Sequence, residues 1–280
     1  MTKTLYVSDL DGTLLNRHSV VSERSRAILG DLIANHGTLF SIATARTPAT
    51  AVQIVSGIGV SIPLIVMAGA AMWDNTKRQY VNTRPIPEDT VRRVCGTFVR
   101  HGINPFVYRN HNGVLHAYHH TSLLDEERLF MSERVNSPFK KFVIDDDPYR
   151  TVPDEALLIY AMNRYSVVEA VSRDIDAEEI ACHKVCYHDI FNAEYGLLEV
   201  YAPGVTKAAA VERLKSLTGA DRLVVFGDNL NDCEMMQAAD HSVAVDNAFP
   251  EVKRVADEVI GPNVDDSVAR WIEADAMRNQ

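Results

Sequence analysis

The fold is decided near the amino terminus by the stretch Leu5-Tyr6-Val7-Ser8-Asp9-Leu10-Asp11-Gly12-Thr13-Leu14. It begins as a short apolar run, which predicts a buried β-strand, and it continues directly into two carboxylates, Asp9 and Asp11. Open α/β sheets bind ligands at the carboxyl ends of their strands, and this spacing puts both carboxylates on one side of an extended chain. Such carboxylates repel each other unless a cation joins them or one of them holds a proton. The alternative is a surface turn that follows an edge strand.

A second carboxylate cluster, Gly227-Asp228-Asn229-Leu230-Asn231-Asp232, follows another apolar run, Leu223-Val224-Val225-Phe226. Asp228 and Asp232 can meet Asp9 only if the two predicted strands lie side by side at the centre of one sheet. Carboxylate, amide and backbone oxygens suit Mg²⁺, a hard cation that prefers octahedral oxygen ligands. The cluster therefore predicts a magnesium site, with an Asx-rich turn and a helix N-cap as the alternative.

Two weaker signals accompany the carboxylates. Ile42-Ala43-Thr44-Ala45-Arg46 ends another predicted strand, where Thr44 can donate its hydroxyl and backbone N–H groups to a phosphoryl oxygen. The helix predicted from Thr47 adds the positive end of its dipole. Lys207 stands at the start of a predicted helix, where the same dipole disfavours a cation. We therefore expect an anion beside Lys207, with an ordinary solvated lysine as the alternative.

Apolar runs alternate with amphipathic helical patterns along much of the chain. Strands are predicted at residues 5–7, 39–43, 64–67, 223–226 and 242–245, and these runs are apolar almost throughout, as in a parallel sheet covered on both faces. Helices are predicted at 22–36, from 48, at 207–217 and at 231–239, the first with Ser22 as its N-cap and Gly37 as its stop. Strand–helix–strand alternation with short links predicts right-handed parallel crossovers and a doubly wound, Rossmann-like α/β core.

The pattern of predicted helices and strands changes in the middle of the chain. Residues 106–108 and 114–118 flank the turn-rich link Asn110-His111-Asn112-Gly113, which predicts a β-hairpin. We interpret this region as an α+β domain inserted into the α/β domain. The predicted boundaries give a core of residues 1–84 and 204–280 and an inserted domain of residues 85–203.

The composition narrows the classes of function. The chain has 280 residues, of which 46% are hydrophobic, an ordinary globular level. Its formal charge is −10 and it has no basic run, so we expect neither nucleic acid nor an anionic membrane surface as a partner. No apolar run approaches the roughly 18 residues of a membrane helix, and no signal peptide is expected. Four cysteines in a chain of this length form no disulfide framework, so we expect a cytoplasmic protein.

Four motifs in this order resemble those of the haloacid dehalogenase-like phosphohydrolases: Asp-x-Asp-Gly-Thr at 9–13, Ala-Thr-x-Arg at 43–46, Lys207, and Gly-Asp-x-x-Asn-Asp at 227–232. The inserted block resembles the large α+β cap of the Cof-type branch, and the resemblance covers essentially the whole chain. The sequence departs from that branch where Ala45 and Ala208 replace common glycines and where Ala68 replaces a usual asparagine. These departures remove no catalytic group.

The resemblance implies a role for each motif residue. Asp9 would be the nucleophile that forms an aspartyl-phosphate, and Asp11 would be the general acid and then the base that activates water. Mg²⁺ would be held by Asp9, the Asp11 carbonyl, Asp228 and, directly or through water, Asp232. Phosphate binding would fall to Thr44, Ala45, Lys207, Asn231 and Asn247.

The function implied by the resemblance is that of an Mg²⁺-dependent phosphomonoester hydrolase. Its substrate would be a small-molecule phosphate ester, either a sugar phosphate or a phosphorylated cofactor, and the protein would be a monomer or a small homo-oligomer. Two alternatives stay open at this point. One is a sugar phosphomutase or other phosphotransferase on the same scaffold, and the other is a non-catalytic protein that binds a phosphorylated metabolite.

Overall fold

A computed structural model describes residues 2–132, 134–147, 154–189 and 192–278. The chain forms two compact units, of which the first joins Met1–Asn82 to Thr206–Gln280 and the second is Thr83–Val205. The second unit is thus an insertion in the sequence of the first.

A five-stranded parallel sheet lies at the centre of the first unit. Its strands are β1 (Thr4–Ser8), β2 (Leu39–Ile42), β12 (Arg222–Gly227), β13 (His241–Val245) and β14 (Glu258–Ile260). They lie in the order β14-β13-β12-β1-β2, and every neighbouring pair is parallel. The apolar side chains of β1 and β12 are buried, because a parallel sheet is covered on both faces. The predictions of β1, β2, β12 and β13 from their apolar runs are confirmed.

Helices cover both faces of this sheet. They are α1 (Glu23–His36), α2 (Pro48–Ile54), α6 (Lys207–Thr218), α7 (Cys233–Ala238), α8 (Pro250–Val255) and α9 (Ser267–Arg278). The chain moves from β1 through α1 to β2 at one edge, and from β12 through α7 and α8 toward β14 at the other. Right-handed crossovers that run in opposite directions put their helices on opposite faces. Accordingly α1 packs against α9, whereas α6 packs against α7. The direction of winding changes between β1 and β12, which is where such sheets bind ligands.

Local signals set the ends of these helices. The Ser22 hydroxyl accepts a hydrogen bond from the N–H of Ser25 at the start of α1, and Gly37 ends that helix in the left-handed conformation, both as predicted. The helix predicted at 231–239 is divided instead. It consists of a 3₁₀ turn at Leu230–Asp232 followed by α7.

A small antiparallel sheet follows α2 in the first unit. Its strands are β3 (Leu64–Val66), β4 (Ala71–Asp74) and β5 (Gln79–Val81), and β3 is joined to the end of β2 by a parallel bridge from Ile65 to Ala43. The strand predicted at 64–67 ends one residue early, because Met67 and then Ala68 take left-handed backbone conformations with φ of 49° and 52°.

The second unit contains a six-stranded sheet. Its strands are β6 (Phe106–His111), β7 (Val114–His119), β8 (Lys140–Ile144), β9 (Glu155–Arg164), β10 (His183–His188) and β11 (Tyr195–Tyr201). They lie in the order β10-β11-β9-β6-β7-β8, and the sheet is mixed because β7 and β8 are parallel while the other neighbouring pairs are antiparallel. Helices α3 (Glu88–Arg100) and α5 (Tyr165–Ala177) pack together and contact β9, and α4 (Asp125–Ser132) follows β7.

The predicted hairpin is confirmed as β6 and β7, but its turn is shorter than the sequence suggests. Asn110 and His111 continue β6 because they pair with Leu115 and Val114, which leaves only residues 112 and 113 as the turn. A parallel α/β core interrupted by an α+β unit is the predicted fold class, and it is confirmed. No helix in the described ranges is both long and apolar enough to cross a membrane.

The loop between β3 and β4 allows a test of backbone strain. Ala68→Gly should raise the free energy of unfolding by about 0.5–1 kcal/mol. A left-handed conformation costs an L-residue roughly 1–2 kcal/mol, and the extra unfolded-state entropy of glycine offsets only about 0.4–1 kcal/mol of that gain. Urea unfolding measures the change. Ala70→Gly is the matched control, since Ala70 has a right-handed φ of −63°, and it should be destabilising. An equal loss of stability in both variants would contradict the strain at Ala68.

Candidate active site

The register of the parallel sheet brings the predicted site residues to one edge. Ser8 at the end of β1 lies opposite Phe226 of β12 on one side and Ile42 of β2 on the other. The residues that leave these three strands therefore start from the same level of the sheet. Asp9 follows β1 and Asp228 follows β12, as the two carboxylate motifs require.

A buried ammonium group lies between two buried carboxylates. Lys207 Nζ is 2.5 Å from Asp9 Oδ1 and 2.7 Å from Asp232 Oδ1. The three residues are only 4%, 6% and 0% exposed, respectively. Lys207 is the first residue of α6, and the Thr206 hydroxyl caps that helix by accepting from the N–H of Ala209. The anion expected beside Lys207 is thus a pair of aspartates.

Burial dominates the ionisation of this cluster. It raises the pKa of Asp9 above the usual carboxyl range, against the opposing effect of Lys207. It also raises the pKa of Asp228 to about 6, with a smaller contribution from the neighbouring charge of Asp232. Burial opposes the charge on Lys207, but the adjacent Asp232 and Asp9 outweigh it and raise the pKa of the ammonium group. Lys207 therefore stays protonated. Its single positive charge is too small to balance three carboxylates.

The carboxylates form a set of ligands that fits a hard cation. Asp9, Asp228 and Asp232 each offer an oxygen, and these oxygens lie within 4.8 Å of one another. Within the described ranges this is the one group of three or more histidine, cysteine or acidic side chains with metal-ligand spacing. Because all its donors are oxygens, the group suits Mg²⁺ better than a softer transition metal.

Close packing holds this cluster in place. The Thr13 hydroxyl donates to Asp228 Oδ1 at 2.9 Å. Gly12 has a φ of +82°, and a Cβ atom there would lie 2.2 Å from Asp228 Oδ2. A Cβ atom on Gly227 would lie 2.6 Å from the Cβ of Asp232. Both glycines are needed because the backbone passes directly against the side chain of a carboxylate.

Asp11 is placed apart from the buried cluster by an arginine to which the sequence analysis gave no role. Arg46 donates from Nε to Asp11 Oδ2 at 2.7 Å and from Nη2 to Oδ1 at 2.6 Å, which makes a bidentate ion pair. The Asp11 side chain is half exposed, and Arg46 less so. The signal was present in the Ala-Thr-x-Arg motif, but only the fold shows that its last residue reaches Asp11.

The predicted phosphate-binding role of Thr44 is only partly possible. Its N–H group, expected to be a donor to phosphate, donates instead to the carbonyl of Ile65, because Thr44 continues the contact between β2 and β3. Its hydroxyl accepts from the N–H of Arg46 at 3.1 Å, so the hydroxyl hydrogen stays available. No backbone carbonyl in the described ranges accepts from the N–H of Ala45. That N–H group can replace the one that Thr44 has used.

The two asparagines that were predicted to bind phosphate differ in their contacts. Asn231 lies on the exposed surface of the 3₁₀ turn beside the carboxylates. Asn247 donates from Nδ2 to the carbonyl of Gly12 at 2.7 Å, and its Oδ1 accepts from the N–H of Asn263 at 3.0 Å. The amide of Asn247 is therefore engaged with backbone on both sides.

Comparison with known proteins shows which family the chain resembles. A family model described as haloacid dehalogenase-like hydrolase matches residues 6–272. Two phosphatases from Bacillus subtilis named for 5-amino-6-(5-phospho-D-ribitylamino)uracil are similar in sequence. One is 26% identical over 270 residues, which cover 96% of this chain and 94% of the relative. The other is 23% identical over 275 residues, with 96% of each chain covered.

Solved structures share the fold. A protein structure from Eubacterium rectale superposes with a TM-score of 0.81 at 20% identity, covering 98% of both chains. A haloacid dehalogenase-like hydrolase from Bacteroides thetaiotaomicron gives 0.76 at 20% identity, covering 98% of this chain and 99% of that one. A sugar phosphatase of subclass IIB gives 0.74 at 18% identity, covering 99% of this chain and all of the other.

The importance of the buried ammonium group can be measured directly. Lys207→Met should lower the free energy of unfolding at pH 7.5 by about 3–5 kcal/mol, because it leaves two buried carboxylates without a counter-ion. The loss should grow as the pH rises from 7.5 to 9. Burial raises the pKa of Asp9 to about 8 in the wild type, and without Lys207 it rises further, so above pH 8 only the folded variant still binds a proton that the unfolded chain does not. Urea unfolding at both pH values tests this.

Lys215→Met is the control on the same helix. Lys215 pairs with Asp240 at 2.6 Å, but this pair is partly exposed, so its loss should cost at most about 1 kcal/mol. Equal losses for the two lysine variants would contradict the central place given to Lys207.

Proposed function

The chain belongs to the haloacid dehalogenase-like hydrolase family, and from that premise we propose that it is an Mg²⁺-dependent phosphatase that hydrolyses small phosphate monoesters through an aspartyl-phosphate. One observation carries the proposal. Asp9 lies at the point where the sheet changes its direction of winding, with the Lys207 ammonium and two further carboxylates gathered around it. A nucleophile, a fixed cation and a set of metal ligands at one strand end are the parts that phosphoryl transfer requires.

The carboxylate group fits the metal that the family implies. Asp9, Asp228 and Asp232 supply only oxygen donors, and Lys207 offers a single positive charge to these three carboxyl groups. These three residues, together with the carbonyl of Asp11, would hold Mg²⁺. The ion would offset the charge of the phosphoryl group and allow an anionic nucleophile to approach an anionic substrate.

The side chains of the protein would then carry out the reaction in two steps. A carboxylate oxygen of Asp9 attacks phosphorus, the bond from phosphorus to the ester oxygen breaks, and Asp11 gives its proton to the departing oxygen. In the second step Asp11 takes a proton from water, the water oxygen attacks phosphorus, and the bond to Asp9 breaks to release inorganic phosphate. Asp11 is suited to both steps because its half-exposed carboxylate is not trapped in the buried cluster. Its pair with Arg46 has to open before it can carry the proton.

Donors for the phosphoryl oxygens come from neighbouring elements. Lys207 is already in contact with Asp9, so the same ammonium group would contact a phosphoryl group transferred to Asp9. The hydroxyl of Thr44 and the N–H of Ala45 would add neutral donors from the end of β2, and Asn231 would add an amide. Preorganised donors of this kind stabilise the charge that develops in the transition state.

The names of the relatives support one class of substrate. Two of them are named for a phosphorylated ribitylamino compound, and one structural neighbour is named a sugar phosphatase. We therefore infer a small phosphate ester of a sugar, of a sugar alcohol or of a cofactor that contains one. A screen of metabolite phosphates with and without Mg²⁺, read as inorganic phosphate release, tests the function as a whole. Absence of release from every ester would contradict it, and isomerisation of a sugar phosphate without release would identify a phosphomutase.

The nucleophile and the acid–base residue give separate predictions. Asp9→Asn should abolish turnover without unfolding the protein, because the amide cannot form the acyl phosphate and the substitution removes a buried charge. Asp11→Asn should lower kcat by about 10²–10⁴-fold, the usual contribution of general acid–base help. The loss should be larger for alkyl phosphates than for p-nitrophenyl phosphate, whose leaving group needs no proton. Steady-state kinetics and thermal unfolding measure both effects.

Asp31→Asn is a suitable control, because Asp31 lies on the exposed surface of α1. It should leave the kinetics unchanged. Near-normal activity of Asp9→Asn would exclude the proposed nucleophile.

The affinity for Mg²⁺ should depend on pH in one direction. Because burial raises the pKa values of Asp9 and Asp228, the latter to about 6, Mg²⁺ has to displace protons at low pH. Binding should therefore strengthen as the pH rises from 5.5 to 7.5, by up to about tenfold per pH unit for each proton displaced. Calorimetric titration of the metal-free protein in two buffers of different ionisation enthalpy measures the affinity and the proton release together. An affinity independent of pH, with no proton released, would contradict the assigned ligands.

A further inference from the structure

Two asparagines from the far end of the chain hold the loop that follows β1. Asn247, in the turn after β13, donates from Nδ2 to the carbonyl of Gly12 at 2.7 Å. Asn263, in the turn after β14, donates from Nδ2 to the carbonyl of Leu15 at 2.7 Å. The N–H of Asn263 also donates to Oδ1 of Asn247 at 3.0 Å. The two side chains and the bond between them therefore form one bracket across residues 12–15.

The bracket fixes which way the Asn247 amide faces. An amide has a donor end and an acceptor end, and here the N–H of Asn263 has to meet the oxygen. The nitrogen is then turned toward the carbonyl of Gly12. An aspartate at position 247 would have the same shape but would place an oxygen against that carbonyl, so the contact would become repulsive. The arrangement thus depends on the amide and not only on the size of the side chain.

The loop that the bracket holds carries the reacting groups. It contains Asp11 and also Thr13, whose hydroxyl donates to Asp228. Its backbone at Gly12 leaves no space against Asp228, where an added Cβ would lie 2.2 Å from a carboxylate oxygen. A small shift of the Gly12 carbonyl would therefore change the position of Asp11 relative to Asp9 and press the backbone onto Asp228.

We propose that Asn247 and Asn263 are positioning residues that act together on the loop of Asp11. The function of Asn247 is then to form the bracket and not to contact phosphate. The proposal rests on the proposed function for the role of Asp11, and it differs from the role that the family resemblance implies for Asn247. Misplacement of a reacting group by about 1 Å can cost about 10²-fold in rate. Loss of the bracket should consequently lower kcat and leave the affinity for phosphate unchanged.

Three variants test the proposal in the full chain with Mg²⁺. Asn247→Asp, Asn247→Ala and Asn263→Ala should each lower kcat by about 10–100-fold on one alkyl phosphate. The inhibition constant of inorganic phosphate should stay within about twofold of the wild-type value. The double variant Asn247→Ala/Asn263→Ala should be no slower than the worse single variant, because both remove the same bracket. Asn35→Ala is the control, since Asn35 is exposed near the end of α1, where its side chain donates to Asp31 at 2.7 Å.

Hydrogen exchange provides a readout that needs no activity. The amides of residues 10–16 should exchange at least tenfold faster in Asn247→Ala and in Asn263→Ala, and those of β1 itself should be unchanged. If the wild-type protein releases phosphate from no ester, the proposed function fails, but the exchange measurement still decides whether the bracket holds the loop.

Two results would overturn the inference. One is a tenfold rise in the inhibition constant of phosphate for the Asn247 variants, while Asn263→Ala keeps the kinetics of the wild-type protein. That result would make Asn247 a phosphate ligand. The other is exchange at residues 10–16 that is unchanged in both alanine variants, which would show that the loop holds its position without the bracket.

Discussion

The site depends on one buried interaction, the contact of the Lys207 ammonium with Asp9 and Asp232. Removing two carboxylates from water is costly unless a cation of matching geometry accompanies them. The start of α6 supplies this cation at the carboxyl ends of β1 and β12. With Lys207 in place, the carboxylates can converge. Without it, they could stay together only by binding protons.

Space is the second constraint. Gly12 and Gly227 allow the backbone to lie directly against Asp228 and Asp232, where any Cβ atom would overlap with a carboxylate. The close approach contributes to the burial of the cluster, and burial is the largest cause of the raised pKa values of Asp9 and Asp228. The packing of the cluster therefore also governs its ionisation. A divalent cation would balance the carboxylate charge that Lys207 does not.

The sequence by itself determined most of the scaffold. Apolar runs predicted strands β1, β2, β12 and β13, and the Ser22 cap and Gly37 marked the ends of α1, because each of these signals acts within a few residues. The motifs also placed Asp9 and Asp228 at strand ends. The two carboxylates meet because β1 and β12 are parallel neighbours in register, a condition that the sequence analysis set and the fold fulfils.

Only the tertiary structure decided how the remaining polar groups are paired. The bidentate bond of Arg46 to Asp11 joins residues 35 positions apart, and the bond of Asn247 to Gly12 spans 235 positions. The N–H of Thr44 likewise donates to the carbonyl of Ile65, because the neighbouring strand β3 lies beside it in the fold. A local pattern shows which donors and acceptors a residue carries, but the choice among partners depends on distances that exist only after the sheet and its loops have packed.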